Sequence, residues 1–150
     1  MQRLLIDTNI LVLLVVGTWD RSQIRSHRRT QNFTPDDFDT LQEEMLRFQN
    51  PCITTSSILA ETSNLMGNEF HEEIADVLLQ VCRPLIEITR PKEDLFAIPA
   101  FPALGFTDCS VLAALNEEIV VLTDDFLLYG QVWEAGFEAI NFNHLRKPRK

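Results

Sequence analysis

The chain has 150 residues, of which 45% are hydrophobic and 23% charged, and its net charge is −9 at pH 7. This length and balance indicate one globular domain over residues 1–150, large enough to bury a sizeable core. The acidic charge argues against a general polyanion-binding surface, so a nucleic-acid substrate would need a cation or local positive charge. With three cysteines, no C-x-x-C pair and no run long enough to cross a bilayer, we expect a soluble, cytoplasmic protein.

The first predicted element is a short buried strand that ends at a carboxylate. Residues 4–6 are apolar without polar alternation, as in parallel strands buried on both faces, and Asp7, Thr8 and Asn9 follow directly. Ligands bind at the carboxyl edge of open parallel sheets, so Asp7 is a candidate functional residue. Capping of the next helix, over residues 10–16 and ended by Gly17, is the alternative role for Asp7.

Residues 17–33 are predicted to form an inserted basic loop. Apart from the basic C-terminal tail, residues 146–150, this segment holds the densest cluster of positive charge. We assign four arginines of the loop to the binding of substrate phosphates: Arg21, Arg25, Arg28 and Arg29. A solvated loop, with its arginines paired to surface acids, is the alternative.

The middle of the chain alternates predicted helices and strands. Thr34 is predicted to cap a helix that Pro35 opens and that runs to residue 48, and strands are expected at residues 51–54 and 85–89. Between the strands lie a helix that carries Glu61 and a helix over residues 70–82. Glu61 is predicted on the same helix face as Ile58 and Leu65, where an unpaired charge would be costly. A position at the rim, in contact with water, is the alternative.

Two further acidic positions follow. Thr107 and Asp108 are predicted to open a helix just after Gly105, at the end of a helix that favours negative charge, although a plain capping role would also explain the acid. Residues 119–123 repeat the opening pattern, an apolar strand followed at once by Asp124 and Asp125. A final helix over residues 126–135 and an edge strand over residues 138–142 complete the predicted elements.

Alternating strands and helices predict an α/β fold, a three-layer sandwich around a mostly parallel sheet. Right-handed crossovers would bring the carboxyl ends of the strands to one rim, together with Asp7, Glu61, Asp108 and Asp125. Converging carboxylates repel one another unless a cation is present. Hard oxygen ligands without a His or Cys cluster select Mg²⁺ or Mn²⁺, and such a site suits hydrolysis of a phosphodiester.

Over nearly its whole length the chain resembles the PIN domain family. The resemblance rests on four motifs in order: Asp7-Thr8-Asn9, Glu61, Thr107-Asp108 and Leu122-Thr123-Asp124-Asp125. PIN domains are metal-dependent ribonucleases, and the VapC-type toxins of bacterial toxin–antitoxin pairs are small single-domain members. The resemblance implies RNA as the substrate, and it admits a protein antitoxin or a second copy of the chain as partners.

The resemblance also implies roles for individual residues. The catalytic acids and ligands of Mg²⁺ or Mn²⁺ would be Asp7, Glu61, Asp108 and Asp125, with Asp124 sharing or replacing the role of Asp125. Supporting roles would fall to Thr107, to Thr123, which lines the site, and to Asn9, which orients Asp7. The long basic loop and the acidic net charge depart from a minimal toxin.

Two alternative functions remain open at this point. A haloacid-dehalogenase-like phosphatase also places an Asp after its first strand, but it needs a second acid where this chain has Asn9. It also needs a lysine shortly before the late acids, and the nearest upstream lysine is Lys92. The other alternative is a non-catalytic PIN-like scaffold that binds RNA or protein. Retention of all the acids disfavours it, because clustered carboxylates without a metal destabilise a fold.

Overall fold

The centre of the structure, a computed structural model that describes residues 1–66 and 72–148, is a five-stranded parallel sheet. The strands are β1 Arg3–Ile6, β2 Ile53–Thr55, β3 Ile86–Ile88, β4 Ile119–Thr123 and β5 Glu138–Asn141. The helices of the described residues are α1 Thr8–Trp19, α2 Pro35–Met45, α3 Ser56–Met66, α4 Glu72–Cys82, α5 Lys92–Phe96, α6 Phe101–Ala114 and α7 Phe126–Glu134. Phe70, predicted in the helix that contains α4, lies outside the described residues.

The order of the strands across the sheet is β3-β2-β1-β4-β5, and every pair is parallel. Right-handed crossovers assign α1, α3 and α4 to one face of this sheet and α6 and α7 to the other. The packing of α1 against α3 and α4, and of α6 against α7, agrees with that assignment. The predicted α/β sandwich is therefore confirmed. From β1 the chain first adds β2 and β3 on one side, and it then adds β4 and β5 on the other side. The order of the strands thus switches direction between β1 and β4, and open α/β folds bind ligands at such a point.

The two central strands, β1 and β4, are buried on both faces, which is why their sequences show no polar alternation. Leu5 of β1 pairs with Val121 of β4, and both side chains are fully buried. Helix α1 covers these strands with an unbroken buried run over residues 10–17. Strands enclosed on both faces contribute apolar side chains to two layers of the core at once. The ends of β1 and β4 are thereby held rigidly.

Helix α1 is longer than predicted, because Gly17 does not end it. The helix continues to Trp19, so the first residues of the predicted loop are helical. A Cβ atom on Gly17 would lie 2.1 Å from the Phe38 ring, so glycine is needed for α1 and α2 to approach. Beyond Asp20 the predicted loop is a short 3-10 helix, Arg21–Gln23, followed by turns.

The start of α2 lies where it was predicted, but its end does not. Thr34 caps α2 in a capping box: its Oγ1 accepts a hydrogen bond from the Asp37 amide, and Asp37 accepts one from the Thr34 amide. The helix ends at Met45 and not at residue 48. Within α6, Gly105 adopts φ 82° and kinks the helix, so the predicted new start beside Asp108 corresponds to the segment after the kink. Among the described residues, no helix is both long and apolar enough to cross a membrane.

Candidate active site

A cleft of about 330 Å³ opens where β1 and β4 end, and we call it the acid cleft. Its lining comes from the start of α1, from α3, from the kinked part of α6 and from the start of α7. The lining residues are Asp7, Thr8, Asn9, Glu61, Leu104, Gly105, Phe106, Thr107, Asp108 and Asp125. All four predicted catalytic acids therefore face one cavity at the carboxyl edge of the sheet.

Asp7 is the most deeply buried of these acids, with 6% of its surface exposed. Its Oδ1 accepts a hydrogen bond from the Thr8 amide at 2.8 Å, so it caps α1 as well as lining the cleft. Burial raises the pKa of Asp7 from 3.8 to about 6, helped by the negative charges of Asp124 and Asp125 and opposed by hydrogen bonds from Thr123 and Thr8. Capping and function, posed as alternatives for Asp7, are compatible in the structure.

Thr123 links the ends of the two central strands. Its buried hydroxyl donates to Asp7 Oδ2 at 2.6 Å and accepts a hydrogen bond from the Asp125 amide at 2.9 Å. Asp125 in turn caps α7, because its Oδ1 accepts hydrogen bonds from the amides of Leu127 and Leu128. We expected Thr123 to line the site, but it is not among the lining residues of the cleft, and it holds Asp7 in place through its hydrogen bond instead.

Asp108 and Glu61 complete the acid cleft from two helices. Burial, and after it the negative charges of Asp7, Asp125 and Glu61, raise the pKa of Asp108 from 3.8 to about 7. Glu61 is exposed, because the buried residues of α3 are Ile58, Thr62 and Met66, a stripe beside it. The expectation that Glu61 lies on the buried stripe is therefore wrong, and the acid reaches the cleft from its rim.

Asn9 and Asp124 interact with each other. We expected Asn9 to orient Asp7, but its Nδ2 atom donates to Asp124 Oδ1 at 3.4 Å. Burial raises the pKa of Asp124, and the hydrogen bond from Asn9 opposes that rise. Asp125 lines the acid cleft, whereas Asp124 does not line it and contacts the lining residue Asn9. The Asp124 carbonyl oxygen accepts a hydrogen bond from Asn143 Nδ2 at 3.1 Å.

The four loop arginines, all within the described part of the chain, do not line the acid cleft. Arg21 forms a two-bond ion pair with Asp39, and Arg29 Nε donates to the carbonyl oxygen of Leu65 at 3.1 Å. Arg25 faces a separate depression, and Arg28 is exposed. The sequence shows where these charges cluster along the chain, but not which of them an internal partner already occupies.

Sequence reasoning missed several residues that the structure places in or beside the site. Thr107 was expected there and lines the cleft, but so do Phe106 and Thr8. The Thr8 hydroxyl is buried and has no hydrogen-bond partner among the described residues. Its position between Asp7 and Asn9 was the signal available in the sequence. Asn143, next to Asp124, carried no such signal because the contact is made across 19 residues.

The donor set of the cleft fits a hard divalent cation in its chemistry, since every ionisable group in the lining is a carboxylate. The fit is not preformed: among residues 1–66 and 72–148, no group of three or more His, Cys, Asp or Glu is arranged as a metal site. A cation would therefore have to draw the carboxylates closer together. Burial and, to a smaller extent, the neighbouring carboxylates raise the pKa values of Asp7 and Asp108, and a cation would favour the charged form of both.

Comparison of the chain with protein-family models, with curated proteins and with solved structures gave no significant match.

Proposed function

We propose that the chain is a metal-dependent endoribonuclease of the PIN type, which hydrolyses RNA phosphodiester bonds in the acid cleft. One observation carries the proposal: four carboxylates face a single cleft at the switch point of a parallel sheet. Burial, together with the negative charges of Asp7, Asp125 and Glu61, raises the pKa of Asp108 to about 7, and perturbed pKa values of this kind cluster at functional sites. The order of the motifs along the chain, which resembles that of PIN domains, supports the same proposal.

Asp7, Glu61, Asp108 and Asp125 would hold the cation, because their oxygens are the hard ligands that Mg²⁺ and Mn²⁺ prefer. When bound, such a cation supplies charge neutralisation for a phosphate and activation of a water molecule. The chain supplies the positioning. Thr123 and the Thr8 amide hold both oxygens of Asp7 in place, and the unpartnered Thr8 hydroxyl is available to a phosphate oxygen or to water.

Two other functions are less well supported. A role as the toxin of a toxin–antitoxin pair is a narrower form of the proposal, and it rests on the resemblance alone. A haloacid-dehalogenase-like phosphatase would share the buried Asp7, but no lysine is among the lining residues of the acid cleft in the described chain. A non-catalytic scaffold would bind RNA or protein without cleaving RNA.

The test is incubation of labelled single-stranded RNA with the protein in Mg²⁺ or Mn²⁺, beside the Asp7→Asn variant. Asn keeps the shape of Asp7 but removes a ligand charge, so cleavage should fall by about a thousandfold or more while the circular dichroism spectrum is retained. Asp76→Asn, an exposed residue of α4 away from the cleft, is the matched control and should cleave at the wild-type rate.

Undiminished cleavage by purified Asp7→Asn would contradict the proposal. Release of phosphate from a small phosphate monoester, without any cleavage of RNA, would favour the phosphatase. Retention of RNA without cleavage under any divalent metal would favour the scaffold.

A further inference from the structure

A second depression lies next to the acid cleft, and we call it the tail groove. Its volume is about 900 Å³, near the upper end of the range of about 300–1,000 Å³ that is common for ligand sites. The lining residues are Arg25, Thr34, Asp36, Asp37, Asn143, Arg146, Lys147 and Pro148. They come from the basic loop, from the start of α2 and from the C-terminal tail.

Asp124 connects the linings of the acid cleft and the tail groove. Asn9, which lines the acid cleft, donates to the Asp124 carboxylate. Asn143, which lines the tail groove, donates to the Asp124 carbonyl oxygen. Arg146 is close enough for its positive charge to lower the pKa of Asp124, against the rise caused by burial. The two depressions are therefore neighbours, linked through Asp124.

The charges of the tail groove are only partly compensated. Arg146 pairs with the buried Asp37 at 3.0 Å, and Arg21 approaches Asp36 at 3.6 Å from outside the lining. Within the described residues, Arg25 and Lys147 have no ion pair within 4 Å, although Lys147 acts on Asp39 from a greater distance. Two cations beside a carboxylate cleft thus remain available to an anionic ligand.

Arg146 builds the groove and is a positioning residue. Besides its ion pair with Asp37, it donates to the carbonyl oxygen of Asn32 at 2.7 Å, and its guanidinium lies 5.1 Å from the centre of the Phe33 ring. These contacts fix the start of the tail against the end of the basic loop. Lys147, the next residue, is thereby brought to the same depression as Arg25.

We propose that the tail groove binds the backbone phosphates of the RNA strand whose scissile bond lies in the acid cleft, with Arg25 and Lys147 as the phosphate contacts. The inference rests on the proposed function. Of the four loop arginines that were predicted to bind phosphates, it retains only Arg25, and it adds Lys147 of the tail. Such contacts position a strand without reading its sequence. They also explain how a chain of net charge −9 holds a polyanion, because only two local cations are needed beside a bound metal.

The experiment measures RNA binding separately from cleavage. Affinity of a labelled single-stranded oligoribonucleotide is followed by fluorescence anisotropy against salt, without divalent metal and in the Asp7→Asn background. Arg25→Ala and Lys147→Ala should each weaken binding several-fold and lower the salt slope by about 0.7, the value for one phosphate contact on a single strand. Arg28→Ala, from the same loop but outside the groove, is the matched control and should change neither quantity.

Asp36→Asn gives a prediction of opposite sign. It removes a negative charge from the lining of the tail groove, so the RNA should bind more tightly. Losses in Arg25→Ala and Lys147→Ala no larger than the loss in Arg28→Ala would overturn the inference. So would weaker binding in Asp36→Asn.

The two proposals fail in different ways. If the wild type cleaves RNA but the groove variants bind like Arg28→Ala, the function stands and the groove assignment is wrong. If the groove variants lose binding but no metal supports cleavage, the groove stands and the nuclease is wrong.

Discussion

The acid cleft and the tail groove are linked through Asp124, and carboxylates at helix starts line both of them. In the acid cleft, Asp7 caps α1 and Asp125 caps α7, and neither forms an ion pair with a described residue. In the tail groove, Asp37 takes part in the capping box of α2 and is paired with Arg146. The local geometry is similar, but only the groove supplies a cation of its own.

Helix capping therefore does not decide whether an acid is structural or functional. The carboxylates of Asp7 and Asp37 both accept hydrogen bonds from backbone amides at a helix start, so a single sequence pattern, an acid before or within a first turn, describes them equally well. What separates them is the sign of the neighbouring charges. The neighbours of Asp7 are Asp124 and Asp125, which raise its pKa, while the neighbour of Asp37 is an arginine.

The comparison predicts that the cleft destabilises the metal-free protein as pH rises. The pKa of Asp7 is raised from 3.8 to about 6, so below about pH 4 the folded and unfolded states are both protonated and the cost is absent. Between about pH 4 and pH 6 only the folded state retains the proton, and stability falls. Above pH 6 the full cost remains, about 3 kcal/mol at 1.36 kcal/mol per unit.

Urea denaturation across this pH range measures the effect. The wild type, compared with Asp7→Asn, should lose about 3 kcal/mol more between pH 4 and pH 7 in the absence of metal. Millimolar Mg²⁺ or Mn²⁺ at pH 7 should restore stability to the wild type by mass action and leave an Asp7→Asn/Asp108→Asn double variant unchanged. Parallel pH profiles for the wild type and Asp7→Asn would show that Asp7 carries no such cost.

A smaller effect is expected when the support of Asp7 is removed. Thr123→Val deletes the hydroxyl that donates to Asp7 and accepts from the Asp125 amide, which should cost about 2 kcal/mol. The pKa of Asp7 should rise above its value of about 6, because the hydrogen bond from Thr123 lowers it. Urea denaturation and NMR titration of the Asp7 carboxyl measure the two changes.

Thr62→Val is the matched control for Thr123→Val. The Thr62 hydroxyl is buried and has no hydrogen-bond partner among the described residues, so its loss leaves no group unpaired. Stability should stay the same or rise by up to about 1 kcal/mol. Equal losses in the two variants would mean that the hydroxyl of Thr123 contributes nothing beyond its volume.

The sequence sufficed for those parts of the molecule that depend on local patterns. The apolar runs of β1 and β4 and the caps at Thr34 and Asp7 could be predicted, because strand burial and capping follow from residues close along the chain. Since strands in a parallel sheet end at one edge, the convergence of the acids also followed.

Features that depend on packing between distant residues could not be predicted. Gly17 was expected to end α1, yet its role is to admit the Phe38 ring, 21 positions later in the sequence. Asn9 was assigned to Asp7, but its partner comes from the end of β4. The tail groove depends on Arg146 reaching Asn32, a contact across 114 residues. None of these pairings leaves a periodicity or a motif in the sequence.

The smallest predicted effects distinguish two arginines of the tail groove region. Arg146 pairs with Asp37, whose side chain is 5% exposed, whereas Arg21 pairs with Asp39, whose side chain is 45% exposed. Removing one partner of a pair costs more when the remaining charge is buried, because water cannot replace the lost contact. Arg146→Ala also loses the contact with Phe33. It should therefore lower the free energy of unfolding by about 1–2 kcal/mol.

Arg21→Ala should lower the free energy of unfolding by less than about 1 kcal/mol, the usual range for an exposed pair, even though its hydrogen bonds to Asp39 are short. Both variants would be compared by urea denaturation at low and at high salt. The loss in Arg21→Ala should shrink at high salt because exposed charges are screened, while the loss in Arg146→Ala should persist. Equal losses that both vanish in salt would mean that Arg146 is held no more firmly than a surface side chain. Lys147 would then have no fixed place in the groove, since the start of the tail depends on Arg146.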